Sequence, residues 1–234
     1  RSLSEAVGGR IHLGRSSGDL GQVSTRIYTR DQLLATMEGV NKLRQTLIET
    51  ARQHLDTVMP GYTHGQHAQP TTFGHYLLSC ALTLERDFDR LWLSFEHTNI
   101  SPAGAAILTG SDFPLDRQLV AKYLGFSCAE KNTFDSVLSY DGLFETASVL
   151  SILYMNLARW ADDIMLWSSF EYGFIDVPDR FCGTSSIMMQ KKNVYLTQWV
   201  KGAAADAVGS LVTTLVADKA PTGLPILEHK YSRS

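Results

Sequence analysis

The sequence predicts an all-α protein, a bundle of long helices, from three features. Apolar residues recur every three or four positions over four stretches of more than twenty residues, the period of one helix face. Segments containing Gly and Pro separate these stretches instead of interrupting them. No convincing run shows the apolar–polar alternation of a half-buried strand.

Size and charge agree with that reading. A chain of 234 residues, 44% hydrophobic and 19% charged, is globular material with enough length for one large core or two small ones. Its formal net charge of −3 leaves no basic excess to neutralise phosphates, which excludes a nucleic-acid or membrane-surface role. No apolar run is expected to reach the ~18 residues of a membrane span. No segment resembles a signal peptide, although Arg1 is not a natural start. Cys80, Cys128 and Cys182 are scattered without a C-x-x-C spacing, so reduced thiols and a cytoplasmic location are expected.

The first element is a turn-rich segment, residues 8–19, with Gly8, Gly9, Gly14 and Gly18. No strand–turn–helix pattern surrounds it, which argues against a dinucleotide loop. Arg15 offers a bidentate partner for a carboxylate, and Ser16 and Ser17 offer neutral donors. Read locally, the segment is as well a plain surface turn.

Leu33, Met37, Val40, Leu43, Leu47, Ala51 and Leu55 then predict one helix over about 26–58, roughly eight or nine turns long. Pro60-Gly61 breaks it. Residues 62–70 are expected to form a loop that carries Thr63, His64 and His67. The two histidines do not make a metal pair, because no carboxylate or thiol nearby completes a ligand set.

A leucine-rich helix over about 73–97 follows, its exposed face carrying Glu85, Arg86, Asp87, Asp89 and Arg90, with His75 as a structural residue at its start. Turns around Pro102 and Pro114 lead to a short helix over about 115–124, closed by Gly125. Val137, Leu143, Ala147, Leu150, Leu153, Leu157, Trp160 and Ile164 predict a third long helix over about 134–167, apolar enough to need several neighbours. A fourth runs from after Asn193 to about 216.

Between the last two helices lies the most distinctive stretch, 183–193, reading Gly-Thr-Ser-Ser-Ile-Met-Met-Gln-Lys-Lys-Asn. A glycine and small polar residues make a loop with exposed backbone N–H groups. With Lys191 and Lys192 beside them, those groups suit a carboxylate or phosphate. A serine in that field, such as Ser185 or Ser186, gives up its proton more readily than in water. By local chemistry alone, a solvated loop with two surface lysines fits equally well.

These stretches resemble the fumarase/aspartase superfamily. Residues 183–193 are similar to its signature G-S-S-x-M-P-x-K-x-N, with Met189 at a proline position, as Val194 is just beyond. Residues 62–70 resemble T-H-x-Q-x-A-Q-P, and residues 14–19 resemble the first block, G-R-S-R-N-D in argininosuccinate lyases. The three blocks come in family order and span nearly the whole chain. The argininosuccinate lyase branch is the most similar.

The resemblance implies a homotetramer whose core is built from long helices of all subunits, with active sites shared between chains. Residues 1–234 stand for the central helical domain, without the family's N-terminal region and C-terminal helical domain. It implies reversible anti β-elimination that releases fumarate, without metal or organic cofactor. Ser185 would be the base, with His64 and Lys191 also catalytic. Arg15, Ser16, Ser17, Thr63, Ser186 and Asn193 would bind the dicarboxylate substrate.

Departures from the argininosuccinate pattern fall at Ser17 and Gly18, where the branch has Arg and Asn, and at Tyr140, the arginine position of S-D-R-D. Glu228 and Arg233 stand at its tyrosine and glutamine. The changes suggest another N-substituted aspartate as substrate, of the ethylenediamine-disuccinate type. Argininosuccinate is the runner-up, and a crystallin-like structural protein the alternative from another class.

Overall fold

A computed structural model describes residues 5–8, 10–217 and 219. Gly223, Glu228, Lys230 and Arg233, singled out above, lie outside the described residues.

After a single turn, α1 (Glu5–Gly8), the chain enters α2 (Ser17–Gln53), followed by strands β1 (Val58–Thr63) and β2 (Gln66–Thr72) and helix α3 (Phe73–Thr98). Then come β3 (Ile100–Ser101), α4 (Arg117–Tyr123), β4 (Cys128–Ala129), α5 (Thr133–Leu138) and α6 (Asp141–Trp167). A 3-10 turn at Asp179–Phe181, strands β5 (Cys182–Thr184) and β6 (Lys192–Val194), and α7 (Tyr195–Ala217) complete it. The long helices make the fold all-α in class, as expected. Among the described residues, three two-stranded sheets add to what the sequence predicts.

The differences have local causes. Helix α2 begins about nine residues before the expected start because Ser16 caps it. The Ser16 N–H donates to Asp19 Oδ1 at 2.9 Å, and Ser16 Oγ accepts from the Gly18 N–H at 3.4 Å, a reciprocal capping box. Gly18 and Gly21 inside the first turns hid this start. The expected helix over 134–167 is two helices, because Ser139 is extended (φ −79°, ψ 128°). The buried Gln22 amide takes the carbonyls freed there, donating to Val137 O at 2.9 Å and Ser139 O at 3.4 Å. Helix α3 matches its expected span within one residue.

The chain divides into two compact units. One takes the described chain up to Thr36, Trp92–Thr146, and the end from Thr213. Its core joins Val23, Ala103, Ala121, Phe126 and Ala129. Strand β3 pairs in parallel with β4, and Arg30 stacks its guanidinium 4.3 Å over the Phe126 ring while donating to Asn99 Oδ1 at 2.7 Å.

The other unit takes Met37–Leu91 and Ala147–Val212. Leu77, Ala81, Leu84, Leu91, Leu153 and Ala161 are buried there. Polar ties fix the register of its helices. Asn156 Nδ2 donates to the buried Asp87 carboxylate at 2.9 Å, and Tyr76 Oη donates to Asp163 Oδ2 at 2.7 Å. Burial pushes the Tyr76 phenol well above its ordinary range, and the bond to the Asp163 carboxylate adds to this. Burial likewise raises the Cys80 thiol.

Helix α7 corrects one sequence expectation. With a mean hydropathy of 1.3 over its most apolar window, it is long and apolar enough to cross a membrane by length and composition. Lys201 and Asp206 interrupt the run to the eye, but the alanines, valines and leucines around them outweigh both. The core helix of a soluble bundle satisfies the same criterion. Only 6% of that window is buried within this chain.

Candidate active site

The block at 62–70 is not a loop. It is an antiparallel hairpin, β1–β2, with Tyr62 opposite His67 and Thr63 opposite Gln66. That register leaves His64 and Gly65 as a two-residue turn, with φ of 52° and 71°. Positive φ at both central residues is the type I′ signature, because only that twist matches the flanking strands. Gly65 adopts it at no steric cost, whereas His64 does so against its Cβ. Thr63 and His64 are both exposed at this tip. Below them Tyr62 Oη and His67 Nε2 are 3.0 Å apart, so His67, read above as no metal ligand, has a defined structural partner.

The signature stretch is a second hairpin. Strands β5 and β6 pair Cys182 with Val194, Gly183 with Asn193 and Thr184 with Lys192. The Tyr195 ring at the start of α7 lies over Gly183 so closely that a Cβ there would overlap the ring. A side chain at 183 would have to displace that ring. The remaining residues, 185–191, form the connecting loop.

Within it the Ser185 hydroxyl oxygen accepts from the backbone N–H of Met188 at 3.1 Å and of Ile187 at 3.3 Å. Two amides aimed at one oxygen favour its anionic form. The Lys191 N–H donates to Met188 O at 3.1 Å and closes the turn.

The two lysines have different surroundings. Lys192 Nζ lies 2.9 Å from Asp176 Oδ1 and 3.0 Å from Asp179 Oδ1. Those hydrogen bonds, Asp176 first, raise the Lys192 ammonium above its ordinary range. Lys191 is exposed and makes no ion pair among the described residues. Asn193 is half-buried in its strand, and Ser186 is exposed. Met189, at the proline position, is 94% exposed at the loop tip.

Arg15, Ser16 and Ser17 belong to the other compact unit. Ser16 is the cap of α2, its N–H and Oγ both engaged in the capping box, while its hydroxyl proton remains free to donate. Ser17 opens the helix, and Arg15 and Ser17 are exposed. Asp19, which the sequence reading left without a role, is 2% exposed. Besides the Ser16 amide it accepts from the backbone N–H groups of Ala106 at 3.2 Å and Gly104 at 3.3 Å. Its carboxylate therefore ties the 104–106 turn to the start of α2. The S-x-x-D spacing was the signal that could have found it.

Gly18 is hemmed in. A Cβ there would meet Ile107 Cδ1 at 3.0 Å and Val137 Cγ1 at 3.1 Å. Tyr140 borders a polar cavity of about 260 Å³ together with Arg26, His97, Glu130, Asp141 and Glu145.

The structure thus brings Thr63 and His64 onto one hairpin tip, Ser185, Ser186 and Lys191 onto the loop of another, and Asn193 onto that second hairpin's returning strand, all in one unit. Among the described residues no hydrogen bond or ion pair joins His64 to Ser185 or Lys191.

The family described as Lyase matches residues 2–209. Argininosuccinate lyase of Methanosarcina acetivorans is 43% identical over 96% of this chain and 45% of its own length. A structure of EDDS lyase in complex with formate superposes with a TM-score of 0.91, at 38% identity, over 94% of this chain and 45% of that one. A class II fumarase from Schistosoma mansoni, 19% identical with a TM-score of 0.80 over 93% of this chain and 51% of its own, shares the fold. The chain spans about half the length of each of these relatives. It belongs to this lyase family, in the argininosuccinate lyase-like branch of the fumarase/aspartase superfamily.

Proposed function

We propose that the protein is a carbon–nitrogen lyase that eliminates an amine from an N-substituted aspartate and releases fumarate. Ser185 Oγ, having first released its own proton to solvent under the pull of the two backbone N–H groups, takes the Cβ proton as an alkoxide. The electron pair passes into the adjacent carboxylate as a dianionic aci-acid, then returns to form the C=C bond as the C–N bond breaks. The amine leaves with that bond's electrons and takes up a proton. Charge developing on the carboxylate needs fixed donors and cations. Lys191, Asn193 and the loop amides serve there, Thr63 and His64 orient the substrate, and Arg15, Ser16, Ser17 and Ser186 bind its carboxylates.

The observation that most supports this reading is the pair of backbone N–H groups on Ser185 Oγ, in a loop that also carries Lys191, a lysine with no ion pair among the described residues. The relatives argue in the same direction: proteins named argininosuccinate lyase and EDDS lyase are similar over nearly all of this chain.

For the substrate we favour an aminopolycarboxylate of the ethylenediamine-disuccinate type over argininosuccinate, because Ser17, Gly18 and Tyr140 replace the residues of the argininosuccinate pattern. We also propose that residues 1–234 act as the central helical domain of a cytoplasmic homotetramer with shared sites. The apolar surface of α7 supports this, with Trp199 73% and Val212 54% exposed in the single chain, a surface that self-association would cover.

The test is to incubate the full-length protein with N-substituted aspartates and follow fumarate by its ultraviolet absorbance. Release of fumarate is expected. A folded protein that releases none from any of them is the structural relative instead.

A further inference from the structure

The hairpin that carries His64 has a gap in its ladder. Val58 and Met59 pair with Thr72 and Thr71 at the base, but the next pair is Pro60 opposite Pro70, and the register shifts between Pro60 and Tyr62. Proline has no N–H to donate, so neither member of that pair can bond the other through a ladder hydrogen bond. A bulge adds a local bend. The ladder is therefore weakest between base and tip, residues 62–67, and a two-stranded ribbon with such a break gains from outside support.

One group of rings gives the tip that support. The Tyr62 ring lies 5.1 Å from that of His67, 5.6 Å from Tyr172 and 6.3 Å from Phe174, and Tyr172 meets Phe174 edge-on at 5.7 Å. Tyr62 Oη and His67 Nε2 share a hydrogen bond of 3.0 Å across the strands. Tyr172 and Phe174 come from the segment that leaves α6, ahead of β5. His64 is two residues beyond Tyr62, in the turn that the strands carry, so a small rotation of the pair displaces the imidazole.

We infer that the Tyr62–His67 pair, braced by Tyr172 and Phe174, is the positioning device for His64. This rests on the reading of His64 as part of the lyase site. Tyr62 and His67 act on the reaction only through the place they give that imidazole.

The experiment compares variants of the full-length protein. Tyr62→Phe keeps the ring and loses the hydrogen bond, His67→Ala loses the same bond from the other side, and His67→Gln keeps a side-chain amide able to bond Tyr62 Oη. For a misplaced imidazole, kcat for fumarate release should fall about tenfold in Tyr62→Phe and His67→Ala. KM should change less than kcat, since Thr63 alone among the proposed binding groups shares this tip. The double variant should be no worse than either single, and His67→Gln should recover most of the rate. In a His64→Ala background Tyr62→Phe should change nothing further. An unchanged rate in Tyr62→Phe overturns the inference, and so does an equal loss with or without His64.

A second readout does not need turnover. In Tyr62→Phe the backbone amide resonances of His64 and Gly65 should shift and report faster motion, while those of the 185–191 loop stay in place. If the full-length protein releases no fumarate, the lyase reading fails, and the resonances still decide the positioning. Unmoved His64 resonances overturn it.

Discussion

The Ser185 hydroxyl oxygen accepts the backbone N–H of Met188 at 3.1 Å, so the residue proposed as the base is held by its own loop. A second N–H, from Ile187, converges on the same oxygen at 3.3 Å. Both bonds are made to Oγ and leave its proton free to point elsewhere.

Replacing Ser185→Ala should therefore abolish fumarate release, by at least about 100-fold, the scale of a lost proton-transfer group. The helix content seen by circular dichroism should not change, because the loop is exposed and its N–H groups turn to water. Ser186→Ala, whose side chain is exposed, should be much milder. Near-normal turnover in Ser185→Ala would remove the proposed base.

His64 offers a test in which stability and activity move in opposite directions. It holds φ of 52° in a turn where Asn-Gly is the favoured pair. A left-handed conformation costs a side chain about 1–2 kcal/mol, less for asparagine. His64→Asn should raise the unfolding free energy by up to about 1 kcal/mol while fumarate release collapses. A destabilised His64→Asn protein, judged by its urea midpoint, would mean that the turn is not under strain at this residue.

Lys191 and Lys192 are adjacent in sequence and divide their tasks. Lys192 is held between Asp176 and Asp179, and its ammonium is raised above the ordinary lysine range. A raised lysine contributes wherever it is charged, below its unfolded value, and loses that contribution only as pH climbs through the folded one. The clamp should therefore be unaffected by lysine titration across the neutral range. Exposed pairs such as these are weakened by salt. Lys192→Met should lower the rate only a few-fold at low salt, roughly the loss that high salt alone gives the wild type. Lys191→Met should lose at least about 100-fold at any ionic strength, since oxyanion stabilisers contribute on that scale. Equal losses in the two variants would show that the lysines are not distinct.

The helices were legible because burial imposes a period of three to four on long stretches, and Leu33, Met37 and Val40 or Leu77, Ala81 and Leu84 are buried as that period requires. The hairpin at 58–72 was not, because Pro60, Gly61 and Pro70 read as breakers and its strands carry no apolar alternation. Its shape comes from the I′ turn and from the ring contacts of Tyr62, which join residues far apart in sequence. The helix break at Ser139 was equally hidden: Gln22 satisfies the freed carbonyls from 115 residues away. The stretches proposed for the site stood out by composition only as polar loops and took their roles from the resemblance, while the difference between Lys191 and Lys192 appeared only with Asp176 and Asp179 in place.

The last prediction concerns the amine. In the argininosuccinate pattern an asparagine stands where this chain has Gly18, and the space it would need is already taken. Ile107 Cδ1 and Val137 Cγ1 lie 3.0 Å and 3.1 Å from where a Cβ would be, so both must give way by a few tenths of an ångström before any side chain fits. Gly18→Asn alone should therefore destabilise the protein, by about 1–3 kcal/mol as overpacking does, without restoring an argininosuccinate site. Ile107→Val in addition should relieve part of that cost. A site that has lost its hydrogen-bonding partners for one substrate discriminates poorly in its favour. In the reverse direction, with fumarate saturating, the full-length protein should accept diamines and carboxylate-bearing amines in preference to arginine. Rates for ethylenediamine, aspartate and arginine measured side by side decide it. If arginine leads by a wide margin, Ser17, Gly18 and Tyr140 do not set the amine specificity, and argininosuccinate is the substrate.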